Sequence, residues 1–581
     1  MRSDSLADFF ALKKTEENIY KKCLYCKLDK NQPMKKLLFT LLITVISFQA
    51  QAQMQVGNVT LDFGPKITAK KGDVTYIAGE KNNVVYTLAR QKKMFYVQTF
   101  ESGSNKFLKS KQIKFDKING GKVTIEDLAI IDGEVFLFGS YYDKKAKKSV
   151  FAAYSIDEKL ILGKPKTVLA VEVPKSSQQG AFFFEPSYDG VNYLVMHVGI
   201  FERDEKLRYE IALLDKTLAA VHNEAVDLQF KDRKDLEFSL DDFEVNDKGD
   251  IFVVVSDSYR NKAKKTTETN LTVHAYYASK GYAKEDIDID LKGKKVLNCN
   301  VINTADGRLQ LIGFYSNLRK SGRADWRLEG IFDVAVKTSD NSVVKETFNE
   351  FSVETKTKLI GERRAKKGKD LKPFYRITHL IERENGGVIV LSEWYTTYVG
   401  NTSGIGPLAF TPITYSTNEI IVTALNQDGT MDWSNVVPKE QQVTVTQFSI
   451  GLAGGMTNGS VSVGVGVLFP LAILGEGPEY LSSVALYENG KLSLLVNDDP
   501  KNIGTTDIDD VRKVRNIKKM IPVIFTFDDS TGDMERIDPT DYEKNQLVVR
   551  PSVTYQKGAG KYLIYGSNKE GAHLGTLTIT K

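Results

Sequence analysis

A turn that returns at a nearly fixed interval constrains this chain more than any single motif. Asp132-Gly133, Asp189-Gly190, Lys248-Gly249 and Asp306-Gly307 each separate two β-type runs, and their glycines lie 57, 59 and 58 residues apart. A two-residue hairpin turn needs positive φ, which glycine adopts without steric cost. Each turn is followed by a continuous apolar run, at 135–138, 193–196, 251–255 and 309–312. Weaker copies occur at Asn82-Asn83, Gly386-Gly387, Asn489-Gly490 and Gly560.

The unit 122–173 holds four such runs, so one repeat predicts one four-stranded antiparallel sheet. Such a sheet cannot bury both faces alone, and stacked copies cover one another. A period near 58 residues with four strands per copy predicts an all-β chain folded as a β-propeller of seven or eight blades. The predicted blades are 72–116, 123–173, 179–230, 235–293, 296–352, 373–442 and 481–540. The chain ends in only three runs, at 548–555, 561–566 and 574–580. The run 56–63 is the natural fourth, which would close the ring with N- and C-terminal strands together.

Residues 34–52 read as a secretory signal peptide. Lys35 and Lys36 precede a 12-residue apolar run, 37–48, and Ala50-Gln51-Ala52 fits the small-x-small cleavage rule. Residues 1–33 are then an upstream extension outside the working protein, with translation expected to start at Met34. The predicted mature domain is 53–581, and the expected location is periplasmic, cell-surface or extracellular. Removing 1–52 leaves 70 Lys/Arg against 69 Asp/Glu, so no global charge favours nucleic acid. Cys299 is then the sole cysteine, which excludes an intramolecular disulfide.

Insertions break the period near 355–372, 400–416 and 443–480. The first is Lys- and Arg-rich and reads as a solvated loop. The third is glycine-rich, apolar and nearly uncharged. It reads as a hairpin packed over one end of the ring, as one irregular extra blade, or as a flap contacting a partner or the membrane.

In a propeller the first turn and the loop after the second strand lie on opposite faces. The second loops share a composition: an aromatic leaves the strand and Lys or Arg usually follow. Tyr142, Phe201, Tyr259, Tyr315, Trp394 and Tyr395 are therefore the candidate ligand-binding residues, because aromatic faces stack on sugar rings and other planar surfaces. The alternative is that these rings cap the blade cores.

Catalytic signatures are absent. The five histidines show neither HxH nor HExxH spacing, and no GxSxG elbow or phosphate-binding glycine loop occurs. No catalytic residue, metal site or cofactor is expected, and His197 and His379 read as core residues. The phrase 421–433, IVTALNQDGTMDW, resembles the strand–turn–strand phrase of secreted propeller repeats, including the tryptophan-docked blades of quinoprotein dehydrogenases. Three tryptophans in the chain are too few to dock most blades, so the resemblance implies the architecture and not a quinone cofactor. The expected function is an exported binding or scaffold protein with a protein or glycan ligand at the loop face. The alternative is a glycan-active hydrolase or lyase using carboxylates near the central mouth.

Overall fold

The computed structural model describes residues 52–580 apart from 69–71, 202–205, 230–236, 262, 305, 323–324, 368, 402–410, 448–456, 459–460, 464–473, 515, 541 and 543–545. The expected upstream extension and the expected signal segment as far as Gln51 lie outside the described residues.

Eight antiparallel sheets succeed one another along the chain. Blade 1 starts at Asp73–Lys81, blade 2 at Thr124–Ile131, blade 3 at Ala181–Pro186 and blade 4 at Glu237–Val245. Blade 5 starts at Lys294–Asn303, blade 6 at Tyr375–Glu382, blade 7 at Ser483–Glu488 and blade 8 at Val548–Gly558. In blades 1, 2, 3, 5 and 7 the strands pair in chain order. The predicted turns join first to second strands, with Asp132 at φ 48° and Gly133 at φ 73°.

The sequence left seven and eight blades open; the count is eight. The weak early copy is a complete blade of its own, and 56–63 is not needed there. The Val59–Phe63 strand instead pairs with Ala572–Ile579 as the fourth strand of blade 8, and Ala52–Val56 adds a fifth.

Apolar clusters fill each of the eight gaps between neighbouring blades. Leu88 and Val97 meet Leu137 between blades 1 and 2, and Tyr209 meets Phe243 between blades 3 and 4. Val74 and Phe100 meet Leu563 and Tyr565 between blades 1 and 8. The second strands are covered on both faces by these clusters, which is why they read as continuous apolar runs.

First strands lie innermost and touch one another. Asn300 Nδ2 and the Val301 amide of blade 5 donate to Asp242 Oδ2 of blade 4 at 3.1 and 3.0 Å. Asn298 Nδ2 donates to the Tyr375 carbonyl of blade 6 at 2.8 Å. Five first strands carry a β-bulge at the same height, skipping Thr75, Glu126, Asp241, Leu297 and Thr378 in the pairing register. His197 is buried as expected, but His379, just past the blade 6 bulge, is exposed. The bulge breaks the alternation that would have turned it into the core.

The 355–372 insertion is not a plain solvated loop. It contains the helices Val353–Ile360 and Glu362–Lys366, the first capped by Ser352 Oγ accepting from the Thr355 amide at 3.0 Å. Leu359 buries into the gap between blades 5 and 6. The 400–416 insertion is described only at its edges. Of 443–480, the Gln441–Gln447 strand pairs with residues 411–417, and Val461–Val463 pairs in parallel with residues 238–240 on the innermost strand of blade 4. Glu479, Tyr480 and Leu481 at its end are buried.

Candidate functional site

The second-loop aromatics do not form an exposed collar. Tyr142 is buried and its hydroxyl donates to the Val173 carbonyl at 3.1 Å. Tyr315 is buried edge-on against Phe348, with Lys294 Nζ 4.7 Å above its ring. Tyr395 is buried, with the Arg376 guanidinium 4.2 Å from its ring centre. Tyr259 is half-buried and donates to Glu268 Oε2 at 3.1 Å. Trp394 is half-buried, edge-on to Phe374 and Tyr375. Phe201 pairs with Lys206 at a hairpin end, and its side chain lies outside the described residues. Tyr142, Tyr315 and Tyr395 sit where a second strand leaves the blade core, and there burying the ring gains more than presenting it.

Trp326, a residue the strand-end pattern passed over, is exposed on this face, as are Tyr398 near the end of the Val388–Val399 strand and Phe374 ahead of the Tyr375–Glu382 strand. Trp326 stands in the loop between the Arg308–Asn317 and Gly330–Lys337 strands of blade 5 and is 55% exposed. One face of its ring is held: Lys295 Nζ lies 3.7 Å from the ring centre. Lys295 is itself buried and ion-paired to Glu237. Both belong to the starts of innermost strands, so the indole stands beside the ring axis on the second-loop face.

Asp325 fixes the backbone beneath the indole. Its Oδ1 accepts from the Trp326 amide at 2.8 Å and from Arg319 Nη2 at 3.2 Å, and its Oδ2 lies 3.4 Å from Arg327 Nε. Its carbonyl accepts from Ser316 Oγ at 2.7 Å. Burial raises the Asp325 carboxyl, but the two guanidiniums outweigh it and the net shift is downward, so the loop is tied by a charged carboxylate. The signal that could have found Trp326 is the string Arg-Ala-Asp-Trp-Arg, an aromatic between charges where no strand needs a core residue.

A second group occupies the innermost strands of blades 2, 3 and 4: Glu126, Asp127, Glu185, Asp241, Asp242 and Glu244. Burial pushes Asp127, Asp241, Asp242 and Glu244 up to about 7. For Glu185 the charges of Asp242, Glu244 and Asp127 add to burial and the value reaches about 8. Tyr76 of blade 1 hydrogen-bonds Asp127, and Ser140 Oγ donates to Glu126. The sequence trace of this group is the acidic pairs 126–127 and 241–242, placed shortly before the turn glycines 133 and 249.

The opposite face carries a shallow cavity of about 270 Å³ lined by Arg383, Asn385, Gly490, Asp528, Asp529 and Ser530. Its cation is already spent, since Arg383 pairs with Asp432 at 3.0 Å and Asp529 at 2.7 Å.

No family model matches the sequence, and no curated protein matches it. Among solved structures the chain is similar to the Dos1 propeller at 9% identity, covering 90% of this chain and 95% of that one, with a TM-score of 0.37. It is also similar to the β-propeller domain of the Trilobed protease from Pyrococcus furiosus, at 11% identity, 82% and 98% coverage and a TM-score of 0.28. Prolyl oligopeptidase B from Galerina marginata matches at 8% identity over 86% of this chain and 56% of its own, with a TM-score of 0.35. The sheets of this chain, taken together, make it an eight-bladed β-propeller of generic type.

Proposed function

We propose that this chain is an exported binding propeller that takes a glycan or protein ligand on its second-loop face, with Trp326 as the platform. The ring is closed jointly by the two ends of the chain, and export rests on the charged, apolar and small-residue segments of 34–52. The observation that carries the reading is the exposed indole with one face fixed on a buried ammonium. A stacking surface held rigid before binding loses little entropy when a ligand arrives. The test is a glycan array and envelope pull-down with residues 53–581, followed by calorimetry on the ligand found. Trp326→Ala is expected to weaken binding by about 10-fold or more while leaving the melting temperature near wild type. Unchanged affinity in that variant would refute the reading.

A second reading, a glycan-active enzyme, is favoured by Glu185 alone. A carboxyl held protonated beside Asp127, Asp242 and Glu244 matches the acid of an acid–base pair. Glu185→Gln should then abolish release of reducing sugar from any polymer the protein degrades; retained release removes Glu185 from that role.

A partner contact through 443–480 is a separate proposal, supported by its apolar, uncharged composition. Deleting the segment should leave a folded protein that loses its partner, whereas an unfolded product would make the segment part of the core.

A further inference from the structure

The indole does not stand alone. Its loop is bound to the second loop of blade 4 through one peptide group. The Gly322 carbonyl accepts from the Thr267 amide at 2.7 Å, from Arg260 Nη1 at 2.7 Å and from Thr266 Oγ1 at 3.4 Å. Gly322 has φ +68°, and an added Cβ would lie 3.1 Å from the Lys265 carbonyl, so the two loops touch at the backbone. They behave as one surface rather than two independent tips.

That surface is strongly basic in a protein that is otherwise balanced. Among the described residues, segments 258–266 and 317–328 together hold six Lys/Arg and one Asp/Glu. The single acid, Asp325, is consumed by Arg319 and Arg327, and Arg327 also reaches Asp370 at 2.9 Å. Lys264 pairs with Glu268 at 2.8 Å. Lys265 and Lys320 are exposed at the junction of the loops. Among the described residues neither carries an ion pair, so the joined loops offer an aromatic plate together with unneutralised cations, which a ligand with a flat ring face and regular negative charge matches.

Resting on the loop-face binding reading above, we propose that the joined second loops of blades 4 and 5 bind an anionic polysaccharide. A pyranose ring stacks on the free face of Trp326, and its carboxylate or sulfate groups meet Lys265 and Lys320. The platform is one flat ring held on a single face, which suits the face of a sugar better than the separate side chains of an acidic peptide. Hexuronate and sulfated polymers share this chemistry, and the test separates them.

The experiment titrates residues 53–581 against a panel of carboxylated and sulfated polysaccharides, each paired with its neutral counterpart, for example polygalacturonate with its methyl ester. At least one acidic member should bind about 10-fold or more tightly than its neutral partner, and added NaCl should weaken it. Trp326→Ala should weaken the acidic and the neutral member of a pair alike. Lys265→Ala combined with Lys320→Ala should weaken only the acidic one and flatten its salt dependence. Equal binding of both members, sensitive to Trp326→Ala, overturns the anionic assignment and leaves the loop-face reading standing. Binding that ignores Trp326→Ala overturns both. Failure of every acidic member to bind, or tighter binding of polyglutamate or single-stranded DNA, overturns the polysaccharide assignment.

Discussion

The indole Nε1 of Trp433, on the outermost strand of blade 6, donates to the Asp529 carbonyl of blade 7 at 2.8 Å. The same ring lies against Gly532, where an added Cβ would come within 2.5 Å of its Cδ2. The tryptophan of the 421–433 phrase thus docks one blade to the next, and Asn435 Nδ2 adds a bond to the Gly532 carbonyl at 2.8 Å.

Gly532→Ala is expected to destabilise the protein by about 2–4 kcal/mol, because it adds left-handed strain at φ +73° to an overpacked contact. Urea unfolding checks this, and a loss below 1 kcal/mol, on the scale of an ordinary surface substitution, would show that the ring has room to move.

Lys439 and Glu393 form an ion pair at 2.5 Å with both side chains 1% exposed. Lys439 Nζ also donates to Thr417 Oγ1 at 3.2 Å. Lys439→Met leaves a buried carboxylate unmatched and should cost about 3–5 kcal/mol, whereas Lys439→Met with Glu393→Leu should recover most of it. Denaturant midpoints of the two variants decide the matter.

The carboxylates of blades 2 to 4 give stability a defined pH dependence. Their folded values of about 7, and about 8 for Glu185, lie above the ordinary carboxylate value of about 4. Below that ordinary value both folded and unfolded chains are protonated and these groups cost nothing. As pH rises, the unfolded chain releases protons that the folded chain keeps, so stability falls until the folded values are passed. Melting temperature should therefore decline between about pH 4 and pH 8, the span set by those values. Glu185→Gln should raise it at pH 8 more than at pH 5. An equal shift at both pH values would mean that Glu185 titrates normally.

Arg550 anchors the end of the 443–480 insertion. Its guanidinium lies 4.8 Å from the ring centres of both Tyr480 and Tyr565, and it pairs with Asp73 at 3.1 Å and Glu479 at 3.4 Å. Glu479 Oε2 in turn accepts from the Gly475 and Gly477 amides at 3.0 and 2.8 Å. Arg550→Met should make residues 474–482 the first site of limited proteolysis, read by mass spectrometry of the fragments. An unchanged cleavage pattern would show that Tyr480 and Leu481 hold the segment alone.

The blades were legible because a hairpin turn needs particular residues and the second strand of every blade must be apolar, so both recur in Asp132-Gly133 and its copies. The pairing of 56–63 with the last strand was legible because blade 8 has only three strands of its own. The site was not legible in the same way. Tyr142 and Tyr315 share a strand-end position that a repeat can spend either on packing or on binding, and whether the next blade covers the ring is not a local property. Trp326 lies deep in the second loop of blade 5, past the strand-end position that recurs, where periodicity carries no information. Asp242 and Glu244 became neighbours of Glu185 only through the order of blades. The helices of 353–366 were missed because a Lys- and Arg-rich segment reads as solvated unless one face, here Leu359, is seen to bury.

The sharing of blade 8 between both ends has a consequence for synthesis. The Val59–Phe63 strand is synthesised more than 500 residues before its inward partner, Ala572–Ile579. Until then Val59, Leu61 and Phe63, all buried in the finished ring, remain open to solvent or to a chaperone. Removing the Ala572–Ile579 strand would therefore leave the Val59–Phe63 strand with an unpaired edge hundreds of residues away in sequence.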